Sequence, residues 1–241
     1  MTIGYPMIRF VLFALILTFF AYPAVSGSPV SAQKTCPLDG EKFEIVETVS
    51  CSTMGRTMSF KPVTSCDFVT RLPVCPTTGL PLYKEFSEEE LERLRPFVET
   101  EDYRTIRNLP PWQRAYRIAE YLQHTGSKRG FQILLMAFWH EHKSFLNNSD
   151  LAGKFVEEAE GEMDRDDQGK PFIAAILTYA FAASGEPEQA DAWYARATSL
   201  TDALGTQNGN VDFLRSYLKR LGECRDMMTS AECLPDAGFR P

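Results

Sequence analysis

The chain is 241 residues long, 44% hydrophobic and 24% charged, an ordinary globular composition for one larger or two small domains that excludes a disordered tail. Its formal net charge of −7 disfavours a nucleic-acid partner, because phosphate binding is driven by clustered Lys and Arg. The local acidic clusters at 88–90, 157–162 and 164–167 are expected to be solvated helix faces.

Arg9 is followed by an apolar run over 10–21 that only Thr18 interrupts. That length matches the core of a signal peptide and falls short of the roughly 20 residues needed to span a bilayer. Pro23 closes the run; Ala24, Ser26 and Gly27 are small residues of the kind a signal peptidase accepts, and Val30-Ser31-Ala32 offers a later site. The expected leader is therefore 1–27, or 1–32 at the latest, and the mature protein is expected in the periplasm or secreted. Membrane contact would come only through a leader left uncleaved.

Six cysteines in an exported protein meet an oxidising compartment, so disulfides are the default. Cys224 and Cys233 are expected to pair with each other, whereas Cys36, Cys51, Cys66 and Cys75 allow three connectivities. Residues 42–49 alternate as a strand, and 57–63 and 68–74 are further strand candidates set apart by Gly55, Pro62 and Pro73. Residues 36–84 are thus expected to form a small β-rich module, too short to bury enough apolar surface without a staple. Within it, Cys36-Pro37-Leu38-Asp39-Gly40 is echoed by Cys75-Pro76-Thr77-Thr78-Gly79. Paired Cys-Pro-x-Cys-Gly turns are the knuckles of a zinc ribbon, but here Asp39 and Thr78 stand where the second thiolates belong. Thr hardly ever binds zinc, so a degenerate ribbon stapled by disulfides, without cofactor, is expected in place of a metal held by Cys36, Asp39 and Cys75. If the knuckles still face each other, Cys36 bonds Cys75 and Cys51 is left for Cys66.

From Ser87 the period changes. Ser87 and Glu90 make a capping box, and Leu91, Leu94, Phe97 and Val98 follow at helical spacing. Pro110-Pro111 breaks that run, and Trp112 begins a helix with Ala115, Ile118, Ala119 and Leu122 before the turn glycine Gly126, answered by Phe131, Leu135 and Phe138 after it. The arrangement recurs around Gly185, with Ala174, Leu177, Thr178 and Phe181 before and Ala190, Tyr194 and Ala197 after, the spacing two antiparallel helices need. A helix over 150–164 lies between, one over 211–221 follows, and 223–241 is expected to be a tail closed by Cys224 and Cys233. The expected fold is mainly α: the stapled, zinc-ribbon-like β module at 36–84, then a short tetratricopeptide-like solenoid over 87–222.

The order of Cys-Pro knuckles at Cys36 and Cys75, a short β segment, an acidic connecting helix and repeat-like hairpins resembles an uncharacterised bacterial family, a domain of unknown function with an N-terminal zinc-ribbon-like part. The resemblance covers about 36–204 and implies an architecture without an activity. The tetratricopeptide likeness implies peptide or protein binding, since such repeats are generally scaffolds.

Chemistry-bearing motifs are sparse. His140-Glu141-His142 resembles a ligand pair, but residues two apart on a helix point about 200° away from each other, so the imidazoles share a metal only if the helix has ended. With His124, they are expected to be helix-end cations. The sequence holds no Cys-x-x-Cys, P-loop or nucleophile elbow. Aromatic residues on the hairpin helices are mostly core; Trp139 and Trp193 are expected to line a concave face rimmed by Arg114, Arg117, Lys128 and Arg129. The expected function is that of a scaffold or adaptor, not an enzyme, binding an envelope protein or peptide through that face. The alternative is a metal-dependent or envelope-modifying enzyme using the cysteine module or the region of His140.

Overall fold

A computed structural model describes residues 29–48, 51–65, 72–204 and 209–239. The expected leader over 1–27 lies outside the described residues, as does Cys66. Among the described residues no helix is long and apolar enough to cross a membrane. The protein is mainly helical, with small antiparallel sheets and two cysteine pairs at disulfide distance.

Two separate β pieces replace the single module expected at 36–84. The first is a ladder of β1 (Pro29–Thr35) and β2 (Lys42–Thr48), in register from Pro29 opposite Thr48 to Thr35 opposite Lys42. β1 gave no clear strand pattern in the sequence, and the later of the two cleavage sites falls inside it. The second piece is the hairpin of β3 (Thr53–Thr57) and β4 (Pro62–Thr64), in which Pro62 opens the short edge strand, a position that tolerates a missing donor. The expected continuous strand over 57–63 is in fact the end of β3 and the start of β4 with a turn between them. This hairpin pairs on its other side with C-terminal β5 (Gly238–Phe239), giving the order β4-β3-β5. The two pieces belong to different cores because neither buries enough apolar surface by itself. The knuckle cysteines Cys36 and Cys75 pack with Leu80, Leu94, Tyr103 and Ile118, whereas Met58 and Phe60 of the hairpin belong to the main core with Phe138, Tyr179 and Tyr217.

The helices begin with α1 (Glu88–Phe97), whose capping box forms: Glu90 N–H donates to Ser87 Oγ at 3.3 Å and Ser87 N–H to Glu90 Oε2 at 2.7 Å. Next come α2 (Glu101–Arg107), α3 (Pro111–Tyr121), α4 (Lys128–His140), the short α5 (His142–Leu146) and α6 (Ser149–Arg165). The last three are α7 (Lys170–Ser184), α8 (Pro187–Ala203) and α9 (Gly209–Cys224). Successive members of the series α3, α4, α6, α7, α8 and α9 pack on one another. The α7–α8 hairpin turns at Gly185, which closes α7 in the left-handed region at φ 78°. α7 is buried nearly all round from Pro171 to Ala182, so its apolar residues do not form a stripe. Ala190 and Ala197 let α8 approach it closely, and Gly222 of α9 leaves room for the Tyr194 hydroxyl, which a Cβ there would meet at 2.9 Å.

The C-terminal segment is not a separate tail. Tyr179 Oη donates to the Cys233 carbonyl at 2.8 Å, and the hairpin amides of Met58 and Ser59 donate to the carbonyls of Ala237 at 2.8 Å and Pro235 at 3.2 Å. It is a clasp that closes over the β3–β4 turn.

Candidate functional site

The two knuckles are the same turn twice. In each, the cysteine N–H donates to the carbonyl five residues on (Glu41 at 2.8 Å, Leu80 at 2.9 Å), and the turn glycine donates back to the cysteine carbonyl at 2.9 Å. Gly40 and Gly79 both take positive φ, 75° and 74°, which a side chain would strain. The turns face each other: Cys36 and Cys75 are bonded with their Cα atoms 5.4 Å apart, within the ordinary range for a disulfide. Asp39 and Thr78, at the would-be ligand positions, instead accept the amides of Glu41 at 3.0 Å and Leu80 at 3.3 Å. Bonded to each other, Cys36 and Cys75 offer no thiolate, and among the described residues no cluster of three or more His, Cys, Asp or Glu could hold a metal. Cys224 and Cys233 are also bonded, 5.5 Å apart at Cα. Cys51 is disulfide-bonded too, and Cys66, its expected partner, lies outside the described residues.

A cleft lies where α4, α7 and α9 meet the β3–β4 hairpin. Lys128, Gln132, Leu135 and Trp139 fall at intervals of four, three and four along one face of α4 and form one wall. Phe172 and Ile176 of α7, Phe213 of α9 and the hairpin's Phe60 supply apolar surface, and the cleft encloses about 560 Å3. That is the size of a small-molecule or side-chain pocket. A second cleft of about 400 Å3 shares Gln132, Leu135 and Trp139 and adds Tyr83, Trp112 and Arg129. The face of α4 thus runs between two clefts.

The hairpin turn forms part of the wall because its carbonyls are captured by aromatic donors. Trp139 Nε1–H donates to the Ser59 carbonyl at 3.0 Å and Tyr217 Oη to the Met58 carbonyl at 2.6 Å. Phe60 then lies edge-on to Tyr217, with ring centroids 4.8 Å apart, and takes φ 67°, an unusual backbone state for a bulky residue. Arg56 sits over the Phe60 ring, 5.2 Å from its centroid, and donates to the Phe60 carbonyl at 3.4 Å. Burial holds its guanidinium below the usual arginine range, and among the described residues no carboxylate pairs with it.

The expected rim is broken up. Arg114 is half-buried and donates to the carbonyls of Gly79 at 2.5 Å and Leu109 at 3.0 Å, so it fastens a knuckle to α3. Arg117 pairs with Glu120 at 2.7 Å and with Asp150 of α6. Only Lys128 and Arg129 stay exposed at a cleft, and Trp139 is the one expected aromatic that lines it. Trp193 is buried beneath Arg196, whose guanidinium lies 4.7 Å from its ring.

The acidic cluster on α6 is a solvated face only in part: Glu157, Glu160 and Asp164 are exposed, as expected, but two of its members are not. Glu158 is buried, accepting from Tyr116 Oη at 3.2 Å and from Gly126 N–H at 2.8 Å, and Glu162 is buried against Arg165 at 3.0 Å. Gly130 is open for Glu158: a Cβ there would lie 2.4 Å from its carboxylate.

The histidines sit at helix ends and in a turn: His124 between α3 and α4, His140 at the last residue of α4 and His142 at the first of α5. α4 ends at His140, so the two imidazoles are not held on one helix, but Glu141 is taken up by the start of α3, accepting from Trp112 N–H at 2.7 Å and Gln113 N–H at 3.1 Å. Burial raises Glu141 and lowers His142 from their usual ranges. His124, expected as a simple cation, bridges Tyr83 Oη at 3.2 Å to Glu90 Oε1 at 2.8 Å. Lys84 bonds the same carboxylate at 2.5 and 2.7 Å. Burial and Lys84 together lower His124, whereas at Glu90 the opposing effect of burial is outweighed by its bonds from Lys84 and Ser87, which hold it below the carboxylate range. This network ties the start of α1 to the α3–α4 turn. Its signal in the sequence was only the capping box.

No protein-family model, curated protein or solved structure matches the sequence.

Proposed function

We propose that the protein is an exported binding module that holds a segment of another envelope protein in the cleft between α4, α7 and the β3–β4 hairpin, and that it acts without a cofactor. The observation that supports this most is the half-open α4 face: Leu135 and Trp139 are only partly buried, yet they adjoin two clefts floored by apolar side chains. A surface of aromatic anchors with a polar margin is the usual character of a binding hot spot. The stacked hairpins are consistent with a tetratricopeptide-like scaffold, and the disulfide pairs with residence in an oxidising compartment.

The test is site-specific photocrosslinking in envelope extract. A photoreactive residue at Gln132, exposed in the cleft wall, is expected to capture one discrete protein, and the same residue at Glu188 on α8 is expected to capture none. Leu135→Arg should abolish the capture at Gln132. Equal capture at both positions, or turnover of a cell-wall or peptide substrate by the purified protein, would overturn the proposal.

A further inference from the structure

The cleft carries more charge information than a purely apolar groove needs. Its cations are Arg56, on β3, and Lys128, at the start of α4; its acids are Glu162 and Asp166, Glu162 on α6 and Asp166 just past its end. The acids are already occupied. Glu162 pairs with Arg165 at 3.0 Å, and Asp166 Oδ1 accepts the amides of Gln168 and Gly169, both at 3.1 Å. The cations are not: neither Arg56 nor Lys128 has a carboxylate partner among the described residues. Lys128 is exposed and can remain hydrated. Arg56 is half-buried, lies over the ring of Phe60 and, among the described residues, has one long hydrogen bond, to a backbone carbonyl. A guanidinium has five donors in a planar fork suited to a carboxylate, and leaving it partly desolvated without one costs free energy.

We infer that the cleft recognises the carboxyl terminus of a partner polypeptide: an apolar last side chain seated against Phe60, Phe172 and Trp139, with the terminal carboxylate on Arg56. This deepens the binding-module proposal and rests on it. The position of the cation selects the terminus over an acidic side chain. Arg56 lies directly on the apolar floor, so the terminal carboxylate of the residue whose side chain fills the floor reaches it by the shortest path. Only a terminal residue has both an apolar side chain and a carboxylate on one Cα. The α6 acids are already met by Arg165 and by backbone amides, so the charge left open to an anion in the cleft is on the Arg56 side.

The experiment uses N-terminally fluorescein-labelled peptides, Gly-Ser-Ala-Leu-Phe as free acid, as C-terminal amide, and as the amide with Asp in place of Leu, titrated against the full-length protein by anisotropy. The free acid is expected to bind at least tenfold more tightly than the amide. Arg56→Met, which keeps the apolar stem, should reduce the acid to the affinity of the amide and leave the amide unchanged, while Arg56→Lys should keep part of the preference. Backbone amide exchange over 170–203 checks that each variant remains folded. Equal affinity for acid and amide in the wild type, or an Asp amide as tight as the free acid, would overturn the inference and leave the apolar cleft standing. If no peptide binds, the binding-module proposal falls with it.

Discussion

Two places tie β structure to helix in this protein, and they do so by opposite means. At the knuckles, two glycine turns of identical hydrogen bonding are joined covalently, and the long β1–β2 ladder beyond them packs mainly on itself. At the clasp, β3 and β4 are short and out of register between Thr53 and Gly55, yet their turn is held by Trp139, Tyr217, β5 and the insertion of Phe60. The length of a ladder therefore says little about how firmly a hairpin is held. What its tip meets decides that, because a two-stranded ribbon alone is marginal in water.

The comparison is broken most directly at Phe60. It is 5% exposed and contacts α7 and α9 through Phe172, Phe213 and Tyr217, so Phe60→Ala is expected to cost about 3–5 kcal/mol in urea unfolding. Because the residue takes φ 67°, Phe60→Gly should be no less stable than Phe60→Ala even though it removes more side chain. A glycine variant clearly weaker than the alanine one would show that the backbone there relaxes and that the hairpin is not pinned as described.

The disulfides sharpen the contrast. Cys36 and Cys75 are 39 residues apart and Cys224 and Cys233 are 9, so in the chain-entropy model the first contributes about 4 kcal/mol and the second about 2.5. The structural reach is the reverse. Replacing Cys36 and Cys75 by Ser should raise hydrogen exchange in the knuckles and at α1–α2 while 53–64 stays protected. Replacing Cys224 and Cys233 should expose 53–64 as well, since the clasp carbonyls of Pro235 and Ala237 follow the second cysteine. Exchange confined to 225–239 in that variant would mean that the clasp holds without its bond. Tyr217→Phe is a smaller cut at the same place: it strands the Met58 carbonyl in a buried site, an expected loss of about 1–3 kcal/mol measurable by thermal unfolding. A loss below that range would show water replacing the hydroxyl.

What the sequence disclosed follows the same division. Local devices were legible: the Ser87–Glu90 capping box, the left-handed glycine at Gly185, the repeated Cys-Pro turns and the small residues between α7 and α8. Each is set by neighbours a few residues away. The cleft was not legible, because it is made by long-range contacts. Phe60 was readable only as one residue of a strand candidate over 57–63, and its partner Tyr217 is 157 residues further on. Glu158 looked like part of a solvated run because nothing nearby in the sequence shows that Tyr116 and the Gly126 amide will meet it. Gly130, the small residue that makes room for it, was the one available signal.

The smallest expected effect separates two arginines that the sequence placed on one rim. Arg117 is 22% exposed, pairs with Glu120 on its own helix and joins α3 to α6 through Asp150, and Lys154 of α6 bonds the same Glu120 at 3.0 Å. Burial works against its charge, but the two carboxylates outweigh it and hold the guanidinium above the usual range. A partly exposed network of this kind is worth about 1 kcal/mol after solvent screening, so Arg117→Ala should lower stability by roughly that amount, and less at high salt. Arg129 is exposed and makes no ion pair among the described residues, so Arg129→Ala should change stability by less than about 0.5 kcal/mol at any salt concentration. Thermal unfolding of both variants at low and high salt decides between them. If the two cost the same, the α3–α6 network is ornamental and Arg117 is as free as the sequence suggested. If only Arg117→Ala is salt-sensitive, the cations left for a partner are those at the clefts, Arg56, Lys128 and Arg129, and the surface to probe next is the face of α4.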